Sequence, residues 1–136
     1  MPREATPLKL QIVAYLSLIS GVSELVKIFI AISHPHGLYL SWGILGIPIC
    51  FGLLRHNGWW RTVSLIMIWI ALIVSPIIYC IGLFAAPITY FEVLWMQINV
   101  PRALFVLLAA LSYALIVWQY RVLTVDSIAR LFVAEG

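Results

Sequence analysis

The chain has 136 residues, of which 64% are hydrophobic and only 10% are charged, and its mean hydropathy is +1.09. Soluble domains carry roughly 45–50% apolar and about 25% charged residues, so this composition excludes a water-soluble protein and predicts one domain, residues 1–136, embedded in a bilayer. The formal net charge of +3 comes from eight scattered Lys and Arg residues, and this scatter excludes a nucleic-acid-binding patch.

Four apolar stretches are predicted to cross the membrane as helices, because a hydrocarbon core ~30 Å thick needs about 20 helical residues. Pro48 interrupts the second stretch, which is short, and Pro76 predicts a kink in the third. The first stretch is predicted to be a retained span, since it is longer than a signal peptide and lacks a small-residue cleavage site. The predicted spans are residues 9–33, 38–54, 59–84 and 101–122.

Two further segments are predicted to lie at the membrane surface. The connection after the third span carries aromatic residues around Glu92, which indicates an interfacial segment, either helical or extended. Residues 124–134 are predicted to form a short helix capped by Thr124 or Asp126, with an apolar face that would rest on the membrane. The predicted fold is all-α: an integral membrane four-helix up-down bundle with a short interfacial C-terminal helix.

Charge predicts the orientation of this bundle. Only Arg102 lies in the connections at one end, whereas the basic residues that precede span one, bracket the turn after span two and follow span four are Arg3, Lys9, Arg55, Arg61, Arg121 and Arg130. By the positive-inside rule, both termini are predicted to be cytoplasmic. The predicted interfacial anchors at this end are Arg55, Trp59, Trp60, Arg61 and Arg121.

Glu24 is the most informative single residue, because it lies roughly 21 Å along the first predicted helix and thus well inside the bilayer. An acid at the centre of a membrane helix costs about 2.5–3.5 kcal/mol unless it is partnered, so it marks a site. Lys27 and Ser20 each lie about one turn away, and the three residues form the predicted intramembrane polar site. Three interpretations stay open: a bridge that fixes packing, an ion or substrate contact, and outward snorkelling of both chains.

Small residues predict which helices pack closely. A stripe at helical spacing in span one consists of Ser17, Ser20, Gly21, Glu24 and Lys27, and a matching small-residue stripe in span two consists of Gly43, Gly46 and Cys50. Small residues on facing helices allow close backbone approach, so tight packing of spans one and two is predicted. The two cysteines of the chain are predicted to lie at different depths and to remain unpaired; they are Cys50 and Cys80.

The sequence offers little material for catalysis. It has no P-loop, zinc-binding helix motif or nucleophile elbow, and its acidic residues number only five. His34 and His36 have only Glu92 as a third ligand on their side, so no metal site is predicted. His56, beside Arg55, is interpreted as a residue of a basic turn that meets lipid phosphate. We therefore predict no enzyme activity, no catalytic residues and no cofactor.

Two short runs carry a resemblance to a known group of proteins. They are Gly52-Leu53-Leu54-Arg55 followed by Trp59-Trp60-Arg61, and the ending Trp118-Gln119-Tyr120-Arg121 with its following Asp126, Arg130 and Phe132. In these runs the chain resembles small uncharacterised bacterial four-span membrane proteins, and in outline it is similar to the DoxX-like proteins. The resemblance implies four spans in a bacterial inner membrane and brings no catalytic residues. Small multidrug-resistance transporters also place a glutamate in span one, but their Gly-Thr-x-x-Leu-Lys continuation is missing after Glu24.

The leading functional prediction is a non-enzymatic accessory or scaffold subunit of a membrane complex, or a homo-oligomer. Its predicted partners are the lipid bilayer and other membrane protein subunits, or further copies of itself, and no nucleic acid. The alternative is a small oligomeric proton- or cation-linked transporter or channel in which Glu24 binds the ion.

Overall fold

A computed structural model describes residues 6–33, 42–85, 90–93 and 96–133. Helices dominate it, with one short pair of strands between the third and fourth α-helices. In chain order the elements are α1 (Leu8–Ser33), a 3₁₀ helix (Trp42–Leu45), α2 (Gly46–Leu54), α3 (Gly58–Ala85), β1 (Tyr90–Val93), β2 (Met96–Asn99), α4 (Arg102–Thr124) and α5 (Asp126–Val133).

Among the described residues, three helices are long and apolar enough to cross a membrane: α1, α3 and α4. At 1.5 Å per residue they measure about 35–42 Å, more than the ~30 Å of a hydrocarbon core. Most of their surface is uncovered by the rest of the chain, as lipid-facing helices require. The prediction of membrane-length helices is confirmed for the first, third and fourth spans, and α3 continues through Pro76.

The second predicted span, residues 38–54, is not confirmed as a crossing helix. Its described helical part runs from Trp42 to Leu54, and residues 38–41 lie outside the described residues. Nine α-helical and four 3₁₀ residues measure only ~22 Å, which is short of the hydrocarbon thickness. The structure therefore contains a half-length helix where the sequence predicts a full span.

The tight packing predicted between the first two spans is confirmed. A Cβ added to Gly46 would lie 2.1 Å from the carbonyl oxygen of Ser17, and one added to Gly21 would lie 2.7 Å from the backbone nitrogen of Ile47. The two backbones meet directly at Gly46, whereas Gly21 also lies against Cγ1 of the Ile47 side chain. Gly43, one turn before Gly46, contacts a residue further along α1, so α1 and α2 run antiparallel.

The turn between α2 and α3 is built by its own polar residues. His56 takes the left-handed conformation with φ 55°, and the side-chain oxygen of Asn57 accepts a hydrogen bond from the backbone N–H of Trp59 at 3.0 Å. The Trp60 indole lies directly on Gly52, which fixes α3 antiparallel to α2.

Aromatic contacts join α3 to α4. The rings of Tyr79 and Phe105 lie edge to face at 6.3 Å, and those of Trp69 and Tyr120 do so at 5.8 Å. Because the residue numbers run in opposite directions, these helices are antiparallel as well. The connection between them, which the sequence left open as helical or extended, contains an antiparallel hairpin of β1 and β2 with Val93 opposite Met96.

The tightest core lies at the end of the bundle where α1 begins and α4 ends; we call it the basic end, since the sequence places most basic residues there. Leu10, Leu53 and Leu123 are fully buried in it. Helix α5, predicted from the tail 124–134 as a surface helix, turns Ile128 and Phe132 into this core. Its apolar face therefore covers the end of the bundle.

The α1–α2 crossing predicts the effect of adding a single methyl group. Gly46→Ala would place a carbon against the backbone of Ser17, so it should lower the free energy of unfolding by about 1–3 kcal/mol. Thermal unfolding of purified protein in detergent measures this. Gly58→Ala is the matched control, since among the described residues its new carbon would meet only the Phe132 carbonyl oxygen, at 3.4 Å. Equal stability of the two variants would contradict the crossing as described.

Candidate intramembrane polar site

Glu24 and Lys27 form an ion pair on the C-terminal half of α1. The ammonium nitrogen of Lys27 donates to Oε1 of Glu24 at 2.9 Å. The side chain of Glu24 is 14% exposed and that of Lys27 is 20% exposed, so most of both chains is removed from the surface. Residues three apart on a helix are neighbours, which is how the sequence predicts the contact.

The backbone of Gly43 supports the acidic side chain. A Cβ added to Gly43 would lie 2.4 Å from Cγ of Glu24, so the stem of the carboxylate rests where a larger residue would have its side chain. The 3₁₀ helix carries Gly43 to this position because Gly46, one turn further on, contacts α1 directly. The α1–α2 crossing thus determines the surroundings of the acid.

The second carboxylate oxygen of Glu24 has no hydrogen-bond donor in the part of the chain that the structure describes. Oε2 is buried, and among the described residues no donor lies within hydrogen-bonding distance of it. A buried acceptor without a hydrogen bond costs about 1–3 kcal/mol, and more when the group is charged. This oxygen is therefore an acceptor that a small donor molecule would satisfy.

A cavity of about 290 Å³ lies on the basic-end side of the ion pair and is lined by residues of α1, the 3₁₀ helix, α2, α3 and α4. Ser20, one turn inward of Glu24, lines it and is exposed. Gly43, which contacts the stem of Glu24, lines it too, whereas Glu24 itself does not. Its polar lining consists of the side chains of Ser17, Ser20, Ser64 and Gln119.

Two of these polar residues were not part of the predicted site. Ser64 is buried on α3, and Gln119 lies on α4. Each is a polar residue inside an apolar stretch, which is the signal that identified Glu24. Spacing along the sequence relates residues of one helix only. The convergence of Ser64 and Gln119 with Ser17 and Ser20 is therefore visible only in the structure.

The predicted interfacial anchors divide into two groups. Trp59 is 70% exposed, and Arg55 and Arg121 are also exposed. Trp60 and Arg61 instead make contacts within the chain. The exposed side chains of Arg55, Trp59 and Arg121 are free to meet headgroups. The contacts of Trp60, in contrast, hold α2 on α3.

Arg61 joins three elements at the basic end. Its Nε donates to the carbonyl oxygen of Leu123 at 3.0 Å, and its guanidinium lies 5.7 Å from the centre of the Phe132 ring. His56, interpreted as a lipid contact, is only 7% exposed and faces Phe132 at 6.0 Å. That interpretation is wrong for His56, because its left-handed backbone turns the ring into the bundle.

Within the described residues, no group of three His, Cys, Asp or Glu side chains lies close enough to hold a metal ion. His34 and His36 lie outside the described residues, and so does the side chain of Glu92. Cys50 is buried, Cys80 is exposed, and both are free thiols.

Comparison with known proteins gives no match to a family model, to a curated protein or to a solved structure. The resemblance to small four-span bacterial membrane proteins therefore stays a prediction from the sequence.

Replacing Lys27 alone should lower the free energy of unfolding, and replacing Glu24 as well should restore most of it. Lys27→Met leaves the Glu24 charge without its partner and should cost roughly 3 kcal/mol of unfolding free energy, as breaking a buried pair does. Adding Glu24→Gln removes the charge as well and should recover most of that loss. Unfolding of the three proteins in detergent at neutral pH measures the difference. A double variant no more stable than Lys27→Met would argue against a buried pair.

Proposed function

We propose that the chain is a multi-pass protein of a bacterial inner membrane that crosses the bilayer four times, with both termini in the cytoplasm. The contacts that gather at the basic end support this topology. Oγ1 of Thr6 lies 3.4 Å from Nε2 of His56, and Arg61 donates to the carbonyl oxygen of Leu123 at the end of α4. The start of α1, the α2–α3 turn and the end of α4 therefore lie together. The positive-inside rule assigns that end to the cytoplasm, with α5 at its interface.

Within the membrane, we propose a non-enzymatic role as a subunit that associates with other membrane chains, either copies of itself or different proteins. The half-length α2 is the observation that carries this proposal. On α3, Ile66, Ile70, Val74 and Ile78 recur every four residues and, together with Leu45, line a groove of about 520 Å³. Helices in lipid associate through packing contacts rather than the hydrophobic effect, and a helix seated in such a groove gains dispersion contacts along its length.

Native mass spectrometry of the gently extracted particle tests the subunit role, and we expect a mass above that of one chain. Val74→Trp should reduce the assembly, because the indole would fill the groove. Ile19→Trp, on the exposed face of α1, is the matched control and should leave the mass unchanged. A monomeric particle without co-purifying chains would contradict the proposal.

A second function, proton or cation transport, is favoured by one specific observation: the buried Oε2 of Glu24 has no partner among the described residues. A carboxylate oxygen of this kind accepts a proton or contacts a cation without first breaking its bond to Lys27. The adjoining polar cavity supplies hydroxyl and amide groups on the approach. An acid inside a membrane is characteristic of ion pathways.

Flux through proteoliposomes tests this second function. Proton or monovalent cation flux above that of protein-free liposomes is expected for the wild type, and Glu24→Gln should abolish it because the amide carries no charge. The matched control is Asp126→Asn, the same chemical change at an exposed position outside the membrane. Wild-type flux equal to that of empty liposomes, or full flux in Glu24→Gln, would exclude Glu24 as the ion site.

A further inference from the structure

The cavity lined by Ser17, Ser20, Ser64 and Gln119 contains hydrogen-bonding groups that the chain itself does not use. The hydroxyl of Ser17 donates to the carbonyl oxygen of Val13 at 3.0 Å. Within the part of the chain that the structure describes, the other three side chains form no hydrogen bond. Ser64 is the most enclosed of them, at only 4% exposed. A polar group buried in this way is unsatisfied unless a molecule in the cavity binds it.

Polar and apolar residues occupy different parts of the lining. On α3 and α4 the polar residues, Ser64 and Gln119, lie on the side of the cavity nearer the basic end. One turn further from that end, Ile68 follows Ser64 and Ile116 follows Gln119. A molecule that fills the cavity therefore meets hydrogen-bonding groups on one side and hydrocarbon on the other.

The chemistry of the lining defines the ligand further. None of the lining residues that the structure describes is charged, and an ion moved into such surroundings loses far more solvation energy than a neutral molecule does. A hydroxyl and a carboxamide each offer a donor and an acceptor, so they bind a hydroxyl or a carbonyl group equally well. The volume of about 290 Å³ is close to the ~300 Å³ of the smallest ligand pockets.

We propose that this cavity is a binding site for a small, uncharged amphipathic molecule that carries a hydroxyl or carbonyl group. Ser64 and Gln119 bind that group, and Met67, Ile68 and Ile116 contact the apolar body of the molecule. Glu24 takes no part, since it does not line the cavity. The site depends neither on the subunit role nor on the ion transport proposed above.

The ligand enters from the hydrocarbon of the bilayer, where molecules of this class dissolve. Met67 and Ala71 line both the cavity and the apolar groove on α3, so the two spaces adjoin at these residues. A methionine side chain is unbranched and adapts its shape readily, and Ala71 presents only a methyl group. A molecule in the groove thus reaches the cavity without crossing the buried core at the basic end.

Photolabelling with 3-azioctanol tests the site. This alkanol carries one hydroxyl group on an alkyl chain, together with a diazirine that reacts with neighbouring atoms on irradiation. In the purified protein, tandem mass spectrometry should locate the label on the cavity residues Met67, Ile68 and Ile116. An excess of 1-octanol should prevent this labelling, because the two alkanols compete for one site.

Ser64→Ala should weaken the competable labelling roughly two- to tenfold, which is the effect of one lost hydrogen bond. Gln119→Leu, which keeps most of the side-chain volume, should weaken it to a similar extent. The matched control is Ser23→Ala, the same change at a serine that is also buried, at 6% exposed, but is not part of the described cavity lining. Its labelling should equal that of the wild type.

Two results would overturn the site. One is labelling of the cavity residues that an excess of 1-octanol does not reduce, which indicates simple partitioning into apolar surroundings. The other is equal labelling of the wild type, Ser64→Ala and Gln119→Leu. Because the measurement is made on purified protein, a monomeric particle or an absence of ion flux leaves its result unaffected.

Discussion

Backbone contact between α1 and α2 is the constraint on which the rest of the structure depends. Gly46 lies against the carbonyl oxygen of Ser17, and Gly21 lies against the backbone and Cγ1 of Ile47, so the two helices approach closely at both glycines. In lipid, close approach of this kind and the dispersion contacts it allows replace the hydrophobic effect as the source of stability. Since α2 has only nine residues, this one crossing also determines where both of its ends lie.

The two ends of α2 serve different purposes as a result. At one end Gly52 receives the Trp60 ring and positions α3, and the neighbouring Leu53 is part of the buried core at the basic end. At the other end Gly43 comes to rest under Glu24. Glycine is needed at each of these places, because a side chain would displace either an indole or a carboxylate. A helix of only nine residues therefore organises the core and the polar site together.

Sequence alone predicts the features that depend on neighbouring residues. The three long helices follow from apolar length, the Glu24–Lys27 pair follows from helical spacing, and the α1–α2 contact follows from small residues in register. The length of α2 and the direction of α5 do not follow. In a membrane protein, an apolar face turned to lipid has the same composition as one turned to the core, so the pattern of α5 does not reveal that Phe132 is buried.

The polar residues also include some that neighbouring residues do not predict. Ser64 and Gln119 line the cavity only because of how α3 and α4 pack. The cavity does not reach the Glu24 carboxylate, because Glu24 is not part of its lining and Oε2 is closed to solvent. Lys27 binds one of the two oxygens, and the other has no donor among the described residues. An ion pair removed from water is stable only when the remaining lone pairs are also satisfied, so the packing of the Glu24 stem on Gly43 has to offset about 1–3 kcal/mol.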